Sequence, residues 1–312
     1  MLKCKGSPLY PGATIGVVAP ASPVHSPERM ELGIRQLTSR GYRVAPGATT
    51  IPKDGDLAGP DWFRRTDLEE MWRDDSISAI WGLRGGYGSI RLLPELDFEM
   101  FRKNPKLFIG FSDLTALELG LWSRTGLVTF HGPVLTTLEH DFSCNQALVM
   151  LSGQVTGGVD TAPLPWPGPG PGALFTIRAG KARGILLGGN LTTLCSLMGT
   201  SFFPDLRGAI LFLEETGETA YRADRLLTQL LLSGALDQVA AVLAGRSIPV
   251  CGESESGLIS VFTERLSRLN CPSAYGFPIG HLPEQWTLPQ GITAEVDTGS
   301  GELIILENPI KE

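Results

Sequence analysis

Cysteines, histidines and long apolar runs are all scarce in this sequence of 312 residues, and each scarcity excludes a class of protein. The cysteines are scattered, odd in number and without a C-x-x-C pair: Cys4, Cys144, Cys195, Cys251 and Cys271. This usage indicates a reduced, cytoplasmic protein and argues against a zinc site. The N-terminus lacks the apolar core of a signal peptide, and charges, Gly or Pro interrupt every apolar run, so we expect no membrane partner.

Positive charge is also in short supply. The formal net charge is −7 and the sequence contains no basic run, which argues against nucleic acid as a partner. A hydrophobic content of 42% with 19% charged residues is typical of a folded globular protein. The length favours two domains over a single core.

Short apolar segments alternate with helical patterns through the first half of the chain. We predict buried strands at 13–21, 42–45, 77–83, 106–111 and 127–130, and helices that begin near Ser26 and Asp61. Strands that alternate with helices at this spacing predict βαβ units and a doubly wound, Rossmann-like parallel sheet of the α/β class.

Residues 153–172 are rich in Pro and Gly and form the only linker-like segment of the sequence. We therefore predict an N-terminal domain at 1–152, a linker at 153–172 and a smaller, β-rich α/β domain at 173–312. Within the second domain the patterns predict strands at 208–213 and 239–244, helices at 220–232 and 257–269, and a closing hairpin within 292–306.

One stretch, residues 106–120, has the pattern of a nucleophile elbow. An apolar strand leads through Gly110 to Ser112, and a buried helix follows directly. A sharp turn from strand to helix exposes a serine hydroxyl and aims the helix N-terminal N–H groups at it. Leu114 stands where the usual G-x-S-x-G pattern has its last Gly. The alternative is that Ser112 simply caps the helix.

The glycine-rich loop at 82–88 follows the third predicted strand. Three interpretations are open: a phosphate cradle, a tight turn, or a backbone N–H that belongs to an oxyanion hole. No Lys-Ser or Lys-Thr pair follows the loop, as a P-loop would require. In the oxyanion interpretation, the N–H of the residue after the nucleophile, Asp113, supplies the second donor.

A serine nucleophile needs a base, and only four histidines could serve: His25, His131, His140 and His281. His281 has the most suggestive setting, because it lies in a Gly-flanked turn after a strand-like run. Glu214 ends an apolar strand, where α/β sheets place functional groups, and could orient the base. The alternative for Glu214 and Glu215 is a solvated pair at a strand end.

Taken together, these segments resemble the L,D-carboxypeptidase family of muramoyl-tetrapeptide carboxypeptidases and microcin-immunity peptidases. The matching segments span nearly the whole chain in the family's order: IGVVAPASP at 15–23, IWGLRGGYGSIRLLP at 80–94, FIGFSDLTAL at 108–117, FHGP at 130–133, GILLGGNLTTLCSLMG at 184–199, ILFLEETGETAYRADRLLTQ at 210–229, and 276–291. The GFSD, RGGYGS and GH…LPxG motifs together are specific.

The resemblance implies a Ser–Glu–His triad of Ser112, Glu214 and His281, with backbone N–H groups of Gly86 and Asp113 as the oxyanion hole. It implies a site between the two domains and a reaction that needs no cofactor or metal. Members of that family are often dimeric, so the resemblance also implies a homodimer. Glu214 is expected to orient His281, since three rigid element ends can assemble a triad across two domains.

Two departures from the family pattern concern the acid and the substrate. Glu215 stands where the family usually has Asp, and we expect it to face away from Glu214 because neighbours on a strand point to opposite sides. Trp286 follows Gln285 in a segment expected to be polar, and with Arg84 it is a candidate for substrate contact. Arg84 and Arg222 are the candidates for holding a substrate carboxylate.

The resemblance implies hydrolysis of the amide between an L-centre and a terminal D-amino acid in murein tetrapeptides, for peptidoglycan recycling. Two other functions remain open. One is an immunity-type peptidase that cleaves a peptidyl or aminoacyl-nucleotide amide. The other is a non-catalytic module that binds a small ligand on the same fold.

Overall fold

A computed structural model gives the architecture of the chain and describes residues 2–51, 55–154, 162–168, 170, 174–252 and 254–311. The linker predicted at 153–172 lies partly outside the described residues. Within the described ranges, no helix is both long enough and apolar enough to cross a membrane.

The first half of the chain builds most of a six-stranded sheet. Its strands are β1 (Thr14–Val18), β2 (Arg43–Pro46), β3 (Ile77–Gly82), β4 (Leu107–Gly110) and β5 (Phe130–His131), with β13 (Leu288–Pro289) added from the second half. Their order across the sheet is β13-β5-β4-β3-β1-β2. β1 to β5 are parallel and β13 is antiparallel to β5. The predicted doubly wound sheet is confirmed, and the loops after β1, β3 and β4 meet at its carboxyl edge.

The helices described around this sheet are α1 (Pro27–Thr38), α2 (Asp61–Arg73), α3 (Phe98–Lys103), α4 (Thr115–Thr125) and α5 (Asp141–Ser152). Short 3-10 turns occupy Ala48–Thr50, Ser89–Glu95, Ser112–Leu114 and Leu135–Thr137. α1 begins at the capping hydroxyl of Ser26, which accepts from the N–H of Arg29. α4 ends at Gly126 in the left-handed conformation, the usual helix stop.

The second half builds a seven-stranded sheet. The strands are β6 (Phe175–Arg178), β7 (Lys181–Asn190), β8 (Ala209–Glu214), β10 (Ala241–Gly245), β12 (Ser273–Phe277), β14 (Thr293–Asp297) and β15 (Glu302–Ile305). Their order across the sheet is β15-β14-β7-β8-β10-β12-β6. β7, β8, β10 and β12 run parallel, and β6, β14 and β15 pair antiparallel at the two edges. The β-rich second domain and its closing hairpin agree with the prediction.

Helices and a small ribbon complete the described part of this domain. The helices are α6 (Leu191–Ser196), α7 (Ala220–Leu232) and α8 (Glu255–Leu266), and β9 (Thr216–Glu218) pairs in parallel with β11 (Ile248–Pro249). The contribution of β13 to the first sheet means that the chain crosses between the two halves near its end. The carboxyl ends of β4, β8 and β12 lie at one interface between the domains. Ser112, Glu214 and His281 lie at or just after these strand ends.

Candidate active site

Ser112 lies at a strained turn between β4 and α4. Phe111 is still extended (φ −161°), and Ser112 then adopts φ 64°, making it the one residue other than glycine within the described ranges to take the left-handed conformation. An L-residue held there stores strain of about 1–2 kcal/mol. Leu114 precedes α4 without a side-chain cap, so the hydroxyl of Ser112 does not cap that helix and is free for another partner.

That partner is His281, in the loop that follows β12. The Nε2 atom of His281 lies 3.2 Å from the hydroxyl oxygen of Ser112, and its Nδ1 atom lies 2.7 Å from Oε2 of Glu214. Glu214 ends β8 and is completely buried, whereas the side chain of His281 is 22% exposed. The structure thus brings together the three residues that the sequence proposed for a triad, in the order hydroxyl, imidazole, carboxylate.

Glu214 and His281 each stabilise the charged form of the other. Burial raises the pKa of the Glu214 carboxyl, but the charge and hydrogen bond of His281 outweigh it and lower that pKa below its ordinary value. Burial alone would lower the pKa of His281, but the charge and hydrogen bond of Glu214 raise it above the ordinary value. An ionised Glu214 at Nδ1 leaves Nε2 as the acceptor that faces Ser112.

Glu215 faces a different set of partners from its neighbour. Its carboxylate accepts hydrogen bonds from the side chain of Asn190 at 3.0 Å, from the N–H of Thr192 at 2.9 Å and from the N–H of Thr216 at 2.9 Å. Burial and the nearby charge of Glu214 raise its pKa. Glu215 therefore holds the start of α6 against the end of β8.

The other histidines lie away from the hydroxyl. His25 is exposed at the rim of the cavity beside Ser112, and the exposed His140 precedes α5. His131 is fully buried beneath the site.

Two backbone amides proposed as oxyanion donors lie beside Ser112. A Cβ atom built on Gly85 would be 2.9 Å from the hydroxyl oxygen of Ser112 and 3.4 Å from the amide nitrogen of Asp113, so the glycine-rich loop passes directly over the turn at Ser112. Gly86 follows with φ +109°, a conformation that favours glycine. Among the described residues, the N–H of Gly86 has no hydrogen-bond acceptor.

Asp113 connects the glycine-rich loop to the turn at Ser112 through hydrogen bonds. The sequence did not reveal this role. The Asp113 carboxylate accepts from the N–H groups of Gly88 at 3.3 Å and Ser89 at 2.8 Å, and the Ser89 hydroxyl donates to the Asp113 carbonyl at 2.6 Å. Ser22, after β1, supports the other side of the loop by accepting from the N–H of Tyr87 at 3.0 Å. Both supports fix the direction in which the loop amides point.

A cavity of about 550 Å³ opens on one side of Ser112, and its charged lining is cationic. His25, Arg29 and Arg84 line it together with Ser112 and His281. A second cavity of about 380 Å³ lies on the other side, lined by Tyr87, Thr192, Glu215 and Glu218 among others. Ser112 therefore lies between a basic and an acidic recess.

The other two candidates for substrate contact lie elsewhere. Trp286 is completely buried, donates from its indole to the carbonyl of Pro165 at 2.6 Å and packs against Trp166 and Phe277. The structure does not bring it into either cavity, because its indole is packed among other aromatic rings in the interior. Arg222 is exposed on α7 and lies 3.4 Å from Glu218. The described residues contain no cluster of three or more His, Cys, Asp or Glu side chains able to hold a metal ion.

A serine at a strained strand-to-helix turn of a doubly wound domain, faced by an imidazole and a buried carboxylate from a second domain, is an arrangement typical of hydrolases. Family comparison agrees: residues 15–132 match the LD-carboxypeptidase N-terminal domain and residues 183–296 match the LD-carboxypeptidase C-terminal domain. The chain belongs to the LD-carboxypeptidase family.

Individual relatives cover almost the full length. The chain is 36% identical to a probable murein peptide carboxypeptidase of Bacillus subtilis, over 97% of this chain and 95% of that protein. It is 30% identical to the microcin C7 self-immunity protein MccF of Escherichia coli, over 96% and 95% of the two chains.

Solved structures agree with the fold. The ligand-free, wild-type structure of MccF matches with a TM-score of 0.91 at 28% identity, covering 99% of this chain and 100% of that one. The muramoyltetrapeptide carboxypeptidase of Oxalobacter formigenes matches with a TM-score of 0.78 at 29% identity, covering 94% and 98%.

Proposed function

We propose that this protein is a serine carboxypeptidase that hydrolyses the amide between an L-centre and the C-terminal D-amino acid of murein tetrapeptides, in the recycling of peptidoglycan. The observation that carries the proposal is the continuous contact from the strained Ser112 through His281 to the buried Glu214. Membership of a carboxypeptidase family and relatives named for murein peptides support the substrate class.

The reaction begins with attack of the Ser112 hydroxyl oxygen on the amide carbonyl. Nε2 of His281, 3.2 Å away, accepts the hydroxyl proton, while Glu214 holds the ring and stabilises the imidazolium that forms. The negative carbonyl oxygen is bound by the N–H groups of Gly86 and Asp113. Each such donor is usually worth about 2.7–4 kcal/mol to the transition state.

Collapse of this intermediate transfers the proton of His281 to the leaving amine, which departs as the free D-amino acid. The acyl group stays on Ser112 as an ester. Water then enters, gives a proton to His281 and attacks the ester, and the returning proton regenerates the Ser112 hydroxyl. Every step uses side chains and amides that already lie at the interface between the domains.

The basic recess suits the leaving group. A C-terminal amino acid carries a free carboxylate, and a guanidinium recognises a carboxylate by charge and paired hydrogen bonds. Arg84 and Arg29 line the recess beside Ser112, and this end of the cleft therefore takes the terminal residue. The acyl part of the substrate then extends toward the acidic recess.

The test is incubation with a murein tetrapeptide that ends in D-Ala, followed by mass spectrometry. Loss of one D-Ala, absent with Ser112→Ala and much slower with a C-terminal L-Ala peptide, supports the proposal. An intact tetrapeptide under conditions where the protein is folded overturns it.

A peptidase of the microcin-immunity type is the second candidate, because the TM-score with MccF exceeds that with the muramoyltetrapeptide carboxypeptidase. Such an enzyme would cleave a peptidyl or aminoacyl-nucleotide amide with the same serine chemistry. Comparing kcat/KM for such an amide and for the tetrapeptide decides between the two. Binding of either compound without hydrolysis would instead indicate a non-catalytic binding module.

A further inference from the structure

A completely buried guanidinium contacts the glycine-rich loop, and the mechanism above does not use it. The side chain of Arg64 on α2 has no exposed surface. Its Nη1 atom donates to the carbonyl of Gly88 at 2.9 Å and to that of Pro20, and its Nε atom donates to the carbonyl of Gly59 at 3.0 Å. Nη2 donates to the carboxylate of Asp61. A buried cation is costly unless it is paired and hydrogen-bonded, so its place needs an explanation.

The three carbonyls held by this guanidinium come from three separate segments of the chain. Pro20 lies in the loop after β1, Gly59 lies just before α2, and Gly88 ends the glycine-rich loop. The planar guanidinium can join them because its N–H groups point in fixed directions. Apolar packing often holds such segments together equally well. Directed donors in this position therefore indicate that the geometry of the loops matters, and not only their stability.

The peptide group between Gly88 and Ser89 lies between two opposite charges. Its carbonyl accepts from Arg64, and its N–H, which belongs to Ser89, donates to the carboxylate of Asp113 at 2.8 Å. The negative end of the peptide dipole therefore meets the cation, and the positive end meets the anion. Because both ends are held, this peptide group cannot rotate without losing a charge-assisted hydrogen bond.

Both amides proposed as oxyanion donors are close in sequence to this clamped peptide group or bonded to it. Asp113 offers its own N–H as one donor, and its side chain binds the clamped peptide. Gly86 offers the other donor and lies two residues before Gly88. A Cβ atom on Gly88 would be 2.3 Å from Leu57, so this end of the loop is also closely packed.

Arg64 also acts on the second support of the glycine-rich loop. Ser22 follows Pro20 by two residues, accepts from the N–H of Tyr87 at 3.0 Å and donates to the carbonyl of Asp56 at 2.6 Å. The carbonyl of Pro20 is bonded to Arg64. The guanidinium therefore holds the loop at Gly88 directly and at Tyr87 through the loop after β1.

We propose that Arg64 is a positioning residue of the oxyanion hole: it fixes the glycine-rich loop so that the N–H groups of Gly86 and Asp113 point at the carbonyl oxygen of the substrate. The inference rests on the proposed serine mechanism. Arg64 lines neither cavity beside Ser112, so it acts through the loop and not by contact with substrate. Donors fixed before the substrate arrives need no reorganisation during the reaction.

The kinetic test uses Arg64→Lys and Arg64→Ala. Lysine keeps the positive charge, but its three donors share one nitrogen and cannot reproduce the fork that joins the carbonyls. We expect kcat to fall at least about tenfold in Arg64→Lys and roughly 100-fold in Arg64→Ala, as for a misplacement of about 1 Å. KM should change less than about twofold, because the lost contacts serve the transition state. Methylguanidinium should restore part of the kcat of Arg64→Ala, whereas sodium chloride at equal ionic strength should not.

Lys106→Met is the matched control. Lys106 is also a buried cation, 5% exposed, and it donates to the backbone carbonyls of Ile77, at 2.8 Å, and Asp74. These groups lie where β3 and β4 begin, at the edge of the sheet opposite Ser112. The control should lose stability and keep its kcat. If kcat in the Arg64 variants equals that of the control while all are folded, Arg64 has a merely structural role and the proposal is overturned.

Labelling of Ser112 by a fluorophosphonate separates this inference from the proposed function. The reagent reacts with an activated serine, places its phosphoryl oxygen in the oxyanion hole and needs no peptide. We expect the labelling rate constant to fall in both Arg64 variants and to stay unchanged in Lys106→Met. Undiminished labelling in Arg64→Lys overturns the inference. Labelling of the wild type without hydrolysis of any tetrapeptide overturns the proposed function instead.

A measurement on the wild-type protein keeps the inference testable if the variants do not fold. The Nε–H signal of Arg64 can be assigned by NMR through the side-chain carbons. We expect slow rotation about the Nε–Cζ bond and slow exchange of this proton with solvent in the free enzyme, since its donors are held on three sides. A freely rotating guanidinium could not fix the loop, and that result overturns the proposal.

Discussion

The side-chain oxygen of Thr115 accepts a hydrogen bond from the backbone N–H of Asn190 at 3.1 Å. Thr115 opens the helix after Ser112, and Asn190 is the cross-strand neighbour of Glu214. Gly189 allows this approach, because a Cβ atom there would lie 2.5 Å from the same oxygen. This direct contact joins the domain that contains Ser112 to the domain that contains Glu214.

The first prediction concerns Ser112. Ser112→Ala should fold normally and lose at least about a thousandfold in kcat, since removing a triad member has effects of that size. Ser112→Gly should be equally inactive but more stable than Ser112→Ala by about 1 kcal/mol, because glycine tolerates φ 64°. Steady-state kinetics and urea unfolding measure the two effects.

A matched control is Ser267→Ala, which changes an exposed serine at the end of α8. It should leave both kcat and stability near the wild-type values. Near-normal turnover in Ser112→Ala would exclude the serine mechanism, and equal stability of the Ala and Gly variants would exclude backbone strain at the turn.

The second prediction separates the two adjacent carboxylates. Glu214→Gln should cost about 10³- to 10⁴-fold in kcat, because a neutral amide neither fixes the tautomer of His281 nor stabilises its cation. Glu215→Gln should cost less than about tenfold in kcat but lower stability by about 1–3 kcal/mol, since an amide keeps one oxygen and two of the four donors to Glu215 lose their acceptor. The reverse order of kinetic effects would reassign the acid.

The fold could be predicted from the sequence largely because parallel strands and amphipathic helices have local patterns. β4, which leads to Ser112, and β8, which ends at Glu214, are continuous apolar runs. Each therefore leads to a residue of the proposed triad. β13 was missed because a two-residue strand has no period, and only tertiary pairing with His131 and Phe130 defines it.

The candidate site was predictable only in part, because some of its contacts have no local sequence pattern. Residues at strand ends can be located by pattern, whereas the anchoring role of Asp113 and the contact of Arg64 with Gly88 depend on side chains distant in sequence. Trp286 was expected near substrate because it follows the histidine loop. Its indole instead fills the interior, and no local signal distinguishes those two environments.

The third prediction is the pH dependence of activity. His281 must be neutral to accept the proton of Ser112, and the carboxylate of Glu214 raises its pKa. The acid limb of kcat/KM should therefore lie above about 6.5, the ordinary pKa of histidine, with activity lost as pH falls through it. In Glu214→Gln the residual activity should show this limb at lower pH. A wild-type limb well below 6.5 would contradict the pairing.

The fourth prediction tests the approach of the glycine-rich loop to the nucleophile. Gly85→Ala places a methyl group 2.8 Å from Cβ and 2.9 Å from the hydroxyl oxygen of Ser112, so one of them must move. We expect kcat to fall roughly 100-fold, the cost of a misplacement of about 1 Å. Gly257→Ala is the control, because its new methyl would make an ordinary 3.4 Å contact with Ala220. Normal kcat in Gly85→Ala would show that the glycine-rich loop can move away from Ser112 without cost to the reaction.

The fifth prediction assigns the residue that binds the substrate carboxylate. Arg84 lines the basic recess beside Ser112 and is positioned by donating to the carbonyl of Pro23 at 3.1 Å. Arg84→Ala should raise KM for a tetrapeptide at least about tenfold, because a hydrogen bond to a charged group contributes about 1.5–3 kcal/mol. Turnover of the same peptide with a C-terminal amide should change little, since it offers no carboxylate.

Arg222→Ala supplies the comparison, as Arg222 is exposed on α7 and paired with Glu218 at 3.4 Å. It should leave KM for both peptides unchanged, because that arginine lies outside the basic recess. If Arg84→Ala weakens the acid and the amide peptides equally, Arg84 acts by holding the loop at Pro23 and not by binding the carboxylate. A selective rise in KM with Arg222→Ala would move the carboxylate site to the α7 side of the cleft and reverse the direction in which the substrate lies across Ser112.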